Sequence, residues 1–144
     1  MILLDANILI YAYSTSSPHH DAARTWLENA IARREELRVS WVGLLAFIRI
    51  VTSARLYKAF YSLEEACERI DDLLAMSNVA ILQPGDQHWM MLKRVLLKDQ
   101  ATGNLVTDAH LAALATEYGA AVCTNDMDFT RFTGLKIINP IAKQ

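Results

Sequence analysis

An α/β fold, with a central, mostly parallel sheet flanked by helices on both faces, is what this sequence predicts. Short apolar runs bounded by turn residues (Ile2 to Leu4, Val79 to Leu82, Ala120 to Cys123) alternate with longer segments whose apolar residues recur every three or four positions. Strands separated by helices return to the same end of a sheet, so they pair in parallel and need cover on both faces. At 144 residues and 53% hydrophobic content, the chain is long enough for one two-sided core and too apolar for disorder. No Pro/Gly/Ser-rich stretch or charge run divides it, so residues 1–144 read as a single domain without internal repeats.

The elements follow in order. Ile2 to Leu4 form a short buried strand ending at Asp5, and a helical stretch runs from Asn7 through Ala12. It fades in the polar run Ser14 to Ser17, after which Pro18 suits a first helical turn. Trp26, Leu27, Ala30 and Ile31 give that second helix its apolar stripe, and Arg33 to Glu36 close it as a solvated end. Leu37 to Ser40 read as a strand, and Leu44, Leu45, Ile48 and Val51 space a buried helix from Val42 to Val51. Ser62 followed by Glu65 is a capping-box pattern for a helix reaching about Met76. The strand from Val79 to Leu82 stops at Pro84 and Gly85. A helix from about Gln87 to Lys98 should carry Trp89, Leu92, Val95 and Leu96 on one side. Gly103 and Asn104 precede a strong helix, Leu105 to Tyr118, which Gly119 ends as a left-handed cap. Ala120 to Cys123 and Leu135 to Ile138 are the last strands, separated by the turn Thr124-Asn125-Asp126. The Trp and Met residues sit at helical spacing and are expected in the core rather than on a base-stacking platform.

A net charge of −2 speaks against a strongly basic nucleic-acid-binding domain. A nuclease stays compatible with it, because a metal ion can hold a phosphate in place of a Lys/Arg surface. Cys67 and Cys123 form no CxxC-type pair, so neither zinc nor a disulfide framework is indicated, and a reduced cytoplasmic setting is the simpler expectation. The apolar start lacks a basic leader and is interrupted by Asp5, and the run Trp41 to Val51 is too short to span a bilayer. No membrane association is expected.

The chemistry should lie with the acids at strand ends. Asp5 follows the first strand and Asp126 a late one, and ligands of open α/β sheets collect at the carboxyl ends of strands. Asp108 lies in the first turn or so of the preceding helix. If its face looks onto the sheet end, three carboxylates converge from distant parts of the chain. Such groups repel unless a cation sits between them, and an all-oxygen set suits Mg²⁺ or Mn²⁺. Each acid also has a plainer explanation. Asp5 could be a turn residue, Asp108 an early-helix charge on the helix dipole, and Asp126 and Asp128 turn or N-cap residues. His19, His20, His88 and His110 have no metal-ligand spacing and are expected as surface or partly satisfied histidines.

The segments LLDANILIYA, GNLVTDAHLAALA and TNDMDFTRF, with the earlier LLAFIRIVT and the closing INP, together resemble the PIN-domain ribonucleases of the VapC toxin family. The resemblance spans nearly the whole chain in order. It implies a PIN-like fold and a Mg²⁺- or Mn²⁺-dependent endoribonuclease of a type II toxin–antitoxin system. It also implies an RNA substrate and a cognate VapB-like antitoxin that holds the enzyme inactive. Together with the apolar content, it makes a homodimer the expected assembly. The family's acids match Asp5, Asp108 and Asp126 as catalytic metal ligands, with Asp128 as an accessory ligand, while Asn7 and Thr124 match small polar residues that help hold such a site. One position departs from the pattern: where the family commonly has a Glu on the third helix, this chain has Ala46. Arg49 beside it either contacts phosphate or is structural.

Two other functions compete. A catalytically weakened PIN-like module that grips RNA or a partner is favoured by Ala46. A haloacid dehalogenase-like phosphatase would also have an Asp after its first strand, but it needs a second Asp two residues on, where this chain has Asn7.

Overall fold

The computed structural model of the chain describes residues 1–56 and 61–141. Five strands form one parallel sheet: β1 (Ile2–Leu4), β2 (Leu37–Val39), β3 (Val79–Ile81), β4 (Ala121–Cys123) and β5 (Ile137–Ile138). Six helices lie between them among the described residues: α1 (Ala6–Tyr13), α2 (His20–Ala32), α3 (Trp41–Val51), α4 (Leu63–Leu74), α5 (His88–Lys98) and α6 (Leu105–Tyr118). The predicted elements are all present, with ends that differ by a residue or two. Pro18 stands two residues before α2 instead of inside its first turn.

The spatial order is β3-β2-β1-β4-β5. The chain therefore builds the sheet outward in one direction from β1 to β3, then restarts on the other side of β1 with β4. Between β1 and β4 the strand order reverses, which leaves a crevice at their carboxyl ends. The register there pairs Leu4 with Cys123, so Asp5 and Thr124 leave neighbouring strands at the same level.

The sheet divides the core in two because side chains alternate along each strand. Ile2, Leu4, Leu37, Val39 and Cys123 face one cluster, shared with α1, α2, α3 and α4. Leu3 and Val122 face the other, with α5, α6, Phe129 and Phe132. Leu3, Leu4, Ile8 and Phe47 are each 1% exposed or less, and burying side chains of this size contributes about 2 kcal/mol apiece.

Local signals end the helices where expected. Ser62 accepts from the Glu65 amide at 3.1 Å and Glu65 accepts from the Ser62 amide at 3.0 Å, which closes the capping box. Gly119 takes φ = 67° and its N–H reaches the carbonyls of Ala115 and Thr116, so α6 stops in the left-handed cap that glycine adopts without strain.

Most of the Trp and Met residues correct the expectation of a core role, although Trp26 and Met1 do pack against the core. Trp41 is 51% and Trp89 63% exposed, and Met90 and Met127 also lie on the surface. Leu92, Val95 and Leu96 do pack inward from α5, but the inward place in its first turn belongs to His88 rather than Trp89. His88 fills it because Glu117 and His110 of α6 offer it polar partners. Its Nε2 lies 2.9 Å from His110 Nδ1, and its Nδ1 lies 3.4 Å from a Glu117 carboxylate oxygen. Glu117 in turn accepts from the Gly85 amide at 2.9 Å. No described helix is long and apolar enough to cross a membrane, and both cysteines are free, Cys67 exposed and Cys123 buried.

Candidate metal centre

Three local structures deliver the acids to the crevice. Asp5 leaves β1 in extended backbone and caps α1, its Oδ1 accepting from the Ala6 amide at 2.8 Å. Asp126 follows β4 and caps the short 3₁₀ turn Met127–Arg131, accepting from the Asp128 amide at 2.9 Å. Asp128 is therefore the first-turn acid of that 3₁₀ segment and Asp126 its cap. Asp108 sits in the first turn of α6, where a carboxylate is favoured by the unpaired amides.

Ligand oxygens of Asp108, Asp126 and Asp128 all lie within 4.8 Å of one another. Asp5 stands outside that set of three, though its charge is felt by Asp108 and it feels Asp126 in turn. Both Asp5 oxygens are engaged: Oδ2 accepts from the Thr124 hydroxyl at 2.8 Å, while Oδ1 serves the cap.

Thr124, 1% exposed, is the hub beneath the acids. Its hydroxyl donates to Asp5 and accepts from the Asp126 amide at 2.9 Å and from Asn7 Nδ2 at 3.4 Å. With its hydrogen and lone pairs committed, this hydroxyl ties the end of β1, the start of α1 and the turn after β4 into one frame. Asn139 extends it, donating to Asn125 Oδ1 at 3.2 Å. Thr124, one of the two small polar residues that the family resemblance implied, thus bonds Asp5 and the Asp126 amide directly, while the other, Asn7, bonds Thr124 and the Asn125 amide. Asn139 and Asn125 were not singled out there; the Asn-Pro at the chain end was the only local signal.

Electrostatics express the crowding. Burial, then the charges of Asp126, Asp5 and Asp128, push the Asp108 carboxyl from 3.8 up to about 6. Asp5 is also raised, mainly by burial, against the lowering effect of its hydrogen bonds from Thr124 and Ala6. Hard oxygen donors this close fit a divalent cation, and such an ion would offset the burial and the neighbouring charges that raise Asp108.

Ala46 and Arg49, with Val42 and Leu45 of α3, line an open depression of about 300 Å³ together with Thr107, the residue before Asp108. Ala46 of α3 thus shares this depression with the first turn of α6.

Fold and site together define a class: a parallel α/β domain that gathers carboxylates at the strand-order reversal of its sheet. The chain belongs to the PIN-domain family, whose profile matches residues 2–135. It is 38% identical over 142 residues to Ribonuclease VapC37 of Mycobacterium tuberculosis, covering 99% of each chain. It is 35% identical over 144 residues to Ribonuclease VapC43 of the same organism, covering 100% of this chain and 98% of the relative. Among solved structures it is similar to VapBC2 from Rickettsia felis bound to a DNA fragment from their promoter. That likeness has a TM-score of 0.71 at 22% identity, covers 96% of this chain and 98% of the other, and concerns the fold.

Proposed function

We propose that this chain is a VapC-type toxin, an endoribonuclease that hydrolyses RNA phosphodiester bonds with Mg²⁺ or Mn²⁺. The observation that carries the proposal is the convergence of Asp108, Asp126 and Asp128 within 4.8 Å. The relatives named as ribonucleases at 38% and 35% identity support the reaction type. On this reading Asp108, Asp126 and Asp128 hold the cation and Asp5 completes the acidic site. When bound, the cation lowers the pKa of a water and neutralises charge developing on the phosphate. The protein's own part is placement. Thr124 orients Asp5 and the Asp126 backbone, and the α6 amides and Asp126 cap keep the other acids in position before substrate arrives.

The 144 residues serve as one domain, and a cytoplasmic setting goes with an RNA substrate. A VapB-like antitoxin is the proposed regulator, supported by the fold likeness to a VapBC complex. A groove of about 310 Å³ between α1, α2 and α4, with Ala12, Leu27 and Ile31 as floor and Arg24, Glu28 and Arg69 at its edge, suits an antitoxin peptide. A homodimer is supported by the apolar side chains of Trp89, Met90 and Leu97, each at least 60% exposed on α5.

The test is cleavage of a structured RNA by purified protein with Mg²⁺, Mn²⁺ or EDTA. Cleavage should need the metal and be lost in Asp126→Asn. Cleavage persisting in EDTA would overturn the metal mechanism. Metal binding without cleavage of any RNA would instead favour a binding module, the alternative to which Ala46 lends weight.

A further inference from the structure

We propose that the outer stripe of α3, Trp41, Leu45 and Arg49, seats the RNA strand beside the acids, with Arg49 pairing with a phosphate next to the scissile one. The proposal rests on the nuclease reading and names how that site holds its substrate.

The three residues recur every fourth position and so share one face of the helix. Trp41 is 51% and Leu45 62% exposed, and Arg49 is exposed as well. Burying α3 against α1 and α4 uses its opposite face, through Leu44, Phe47 and Val51. The stripe therefore makes no contribution to the core. Arg49 has neither an ion pair nor a hydrogen bond among the described residues.

Position supplies the second half of the case. Ser40 caps α3 directly after β2, so Trp41 begins at the carboxyl end of the sheet, the end that carries Asp5 and Asp126. Farther along the helix, Leu45, Ala46 and Arg49 share the open depression of about 300 Å³ with Thr107, the neighbour of Asp108. Arg49 is the charged side chain lining that depression.

Charge decides which occupant fits. A cation at the carboxylates compensates the scissile phosphate, but phosphates on either side would still meet an acidic surface. A guanidinium at the rim offers a planar, two-pronged donor to one of them. An exposed indole and an aliphatic side chain on the same stripe give an unpaired base an apolar face to lie on. A basic group alternating with an aromatic one along a groove is the pattern of sequence-tolerant single-strand binding. A second protein chain would leave Arg49 to be buried unpaired or matched by an acid, so RNA is the better match for this stripe.

The test measures binding of a fluorescein-labelled single-stranded oligoribonucleotide across a KCl series, with Ca²⁺ in place of Mg²⁺. Steady-state cleavage with Mg²⁺ is measured alongside. Arg49→Ala should raise Kd and KM about tenfold with kcat nearly unchanged, and lower the salt slope by about one phosphate contact. Arg49→Lys should keep the salt slope and part of the affinity. Trp41→Ala should weaken binding about tenfold with the slope intact, since stacking releases no counterions. Circular dichroism should show all three folded. If the variants bind and cleave like the wild type, the proposal is overturned; a shift to monomer in sedimentation would then mark the stripe as a protein interface. If the wild type binds RNA and loses that binding as described but never cuts with Mg²⁺ or Mn²⁺, the nuclease reading fails while the RNA seat stands. A wild type that binds no RNA overturns both.

Discussion

Replacing Asp108 by asparagine removes a charge that the folded chain holds at a cost, and the size of that cost follows from the crowding of the acids. Folding raises this carboxyl from 3.8 to about 6, through burial first and then through Asp126, Asp5 and Asp128. A rise of about two pH units corresponds to about 3 kcal/mol as a ceiling. Asp108 is partly open to solvent, and screening brings the expected effect down to about 1 kcal/mol. The sign follows from the direction of the rise. The folded state holds the proton more tightly than the unfolded chain, so the stability this provides is complete below 3.8 and is lost as pH rises through about 6. In EDTA at pH 7.5, Asp108→Asn should therefore melt roughly 3 °C above the wild type, and at pH 4 the gap should close. Mg²⁺ reverses the order. At a hundred times its Kd a bound ion adds about 2.7 kcal/mol to the wild type, and the variant, short of one ligand, gains less. Differential scanning fluorimetry at both pH values, with EDTA and with Mg²⁺, reads all four cases. A variant that melts below the wild type in EDTA at pH 7.5 refutes the repulsion argument. Equal stabilisation of both proteins by Mg²⁺ refutes the placement of the ion.

Other substitutions probe the frame around the acids. Thr124→Val keeps the shape but leaves Asp5 and the Asp126 amide without their hydroxyl partner, so urea titration should show a loss of about 3 kcal/mol; a loss under about 1 kcal/mol would mean that solvent replaces the hub. Ala46→Glu should tighten Mn²⁺ binding in calorimetry while leaving stability nearly unchanged, because the side chain enters an open depression beside Thr107; unchanged affinity would show that α3 does not reach the ion. Gly119→Ala should cost about 1 kcal/mol in thermal unfolding, since its φ of 67° strains any side chain even though nothing crowds the added carbon. No loss there would mean that the end of α6 relaxes.

Much of the local structure was readable before any coordinates. The capping box at Ser62 and Glu65, the glycine stop at Gly119 and the short apolar strands depend on residues a few positions apart, whose geometry is the same in any fold. Asp5 and Asp126 stood out by their place after a strand and Asp108 by its place in the first turn of a helix, while Asp128 stood out only through the family resemblance. Ligand sites of parallel sheets sit at such ends, and the family resemblance picked out the same residues.

The grouping of those acids was not readable. Sequence spacing treats Asp5, Asp108 and Asp126 alike, whereas the structure brings Asp108, Asp126 and Asp128 together and engages both oxygens of Asp5 with Ala6 and Thr124. Trp89 and His88 show the same limit. Helical spacing ranks the tryptophan as the buried neighbour, but Glu117 and His110, brought opposite by the packing of α5 on α6, draw the histidine inward. Caps and periodicities are set by short-range sterics and hydrogen bonds, so the sequence by itself determines them. The partners of Thr124 and His88 come from segments far apart in the chain, and only the parallel docking of β4 against β1 and of α6 against the sheet and α5 decides which of them meet.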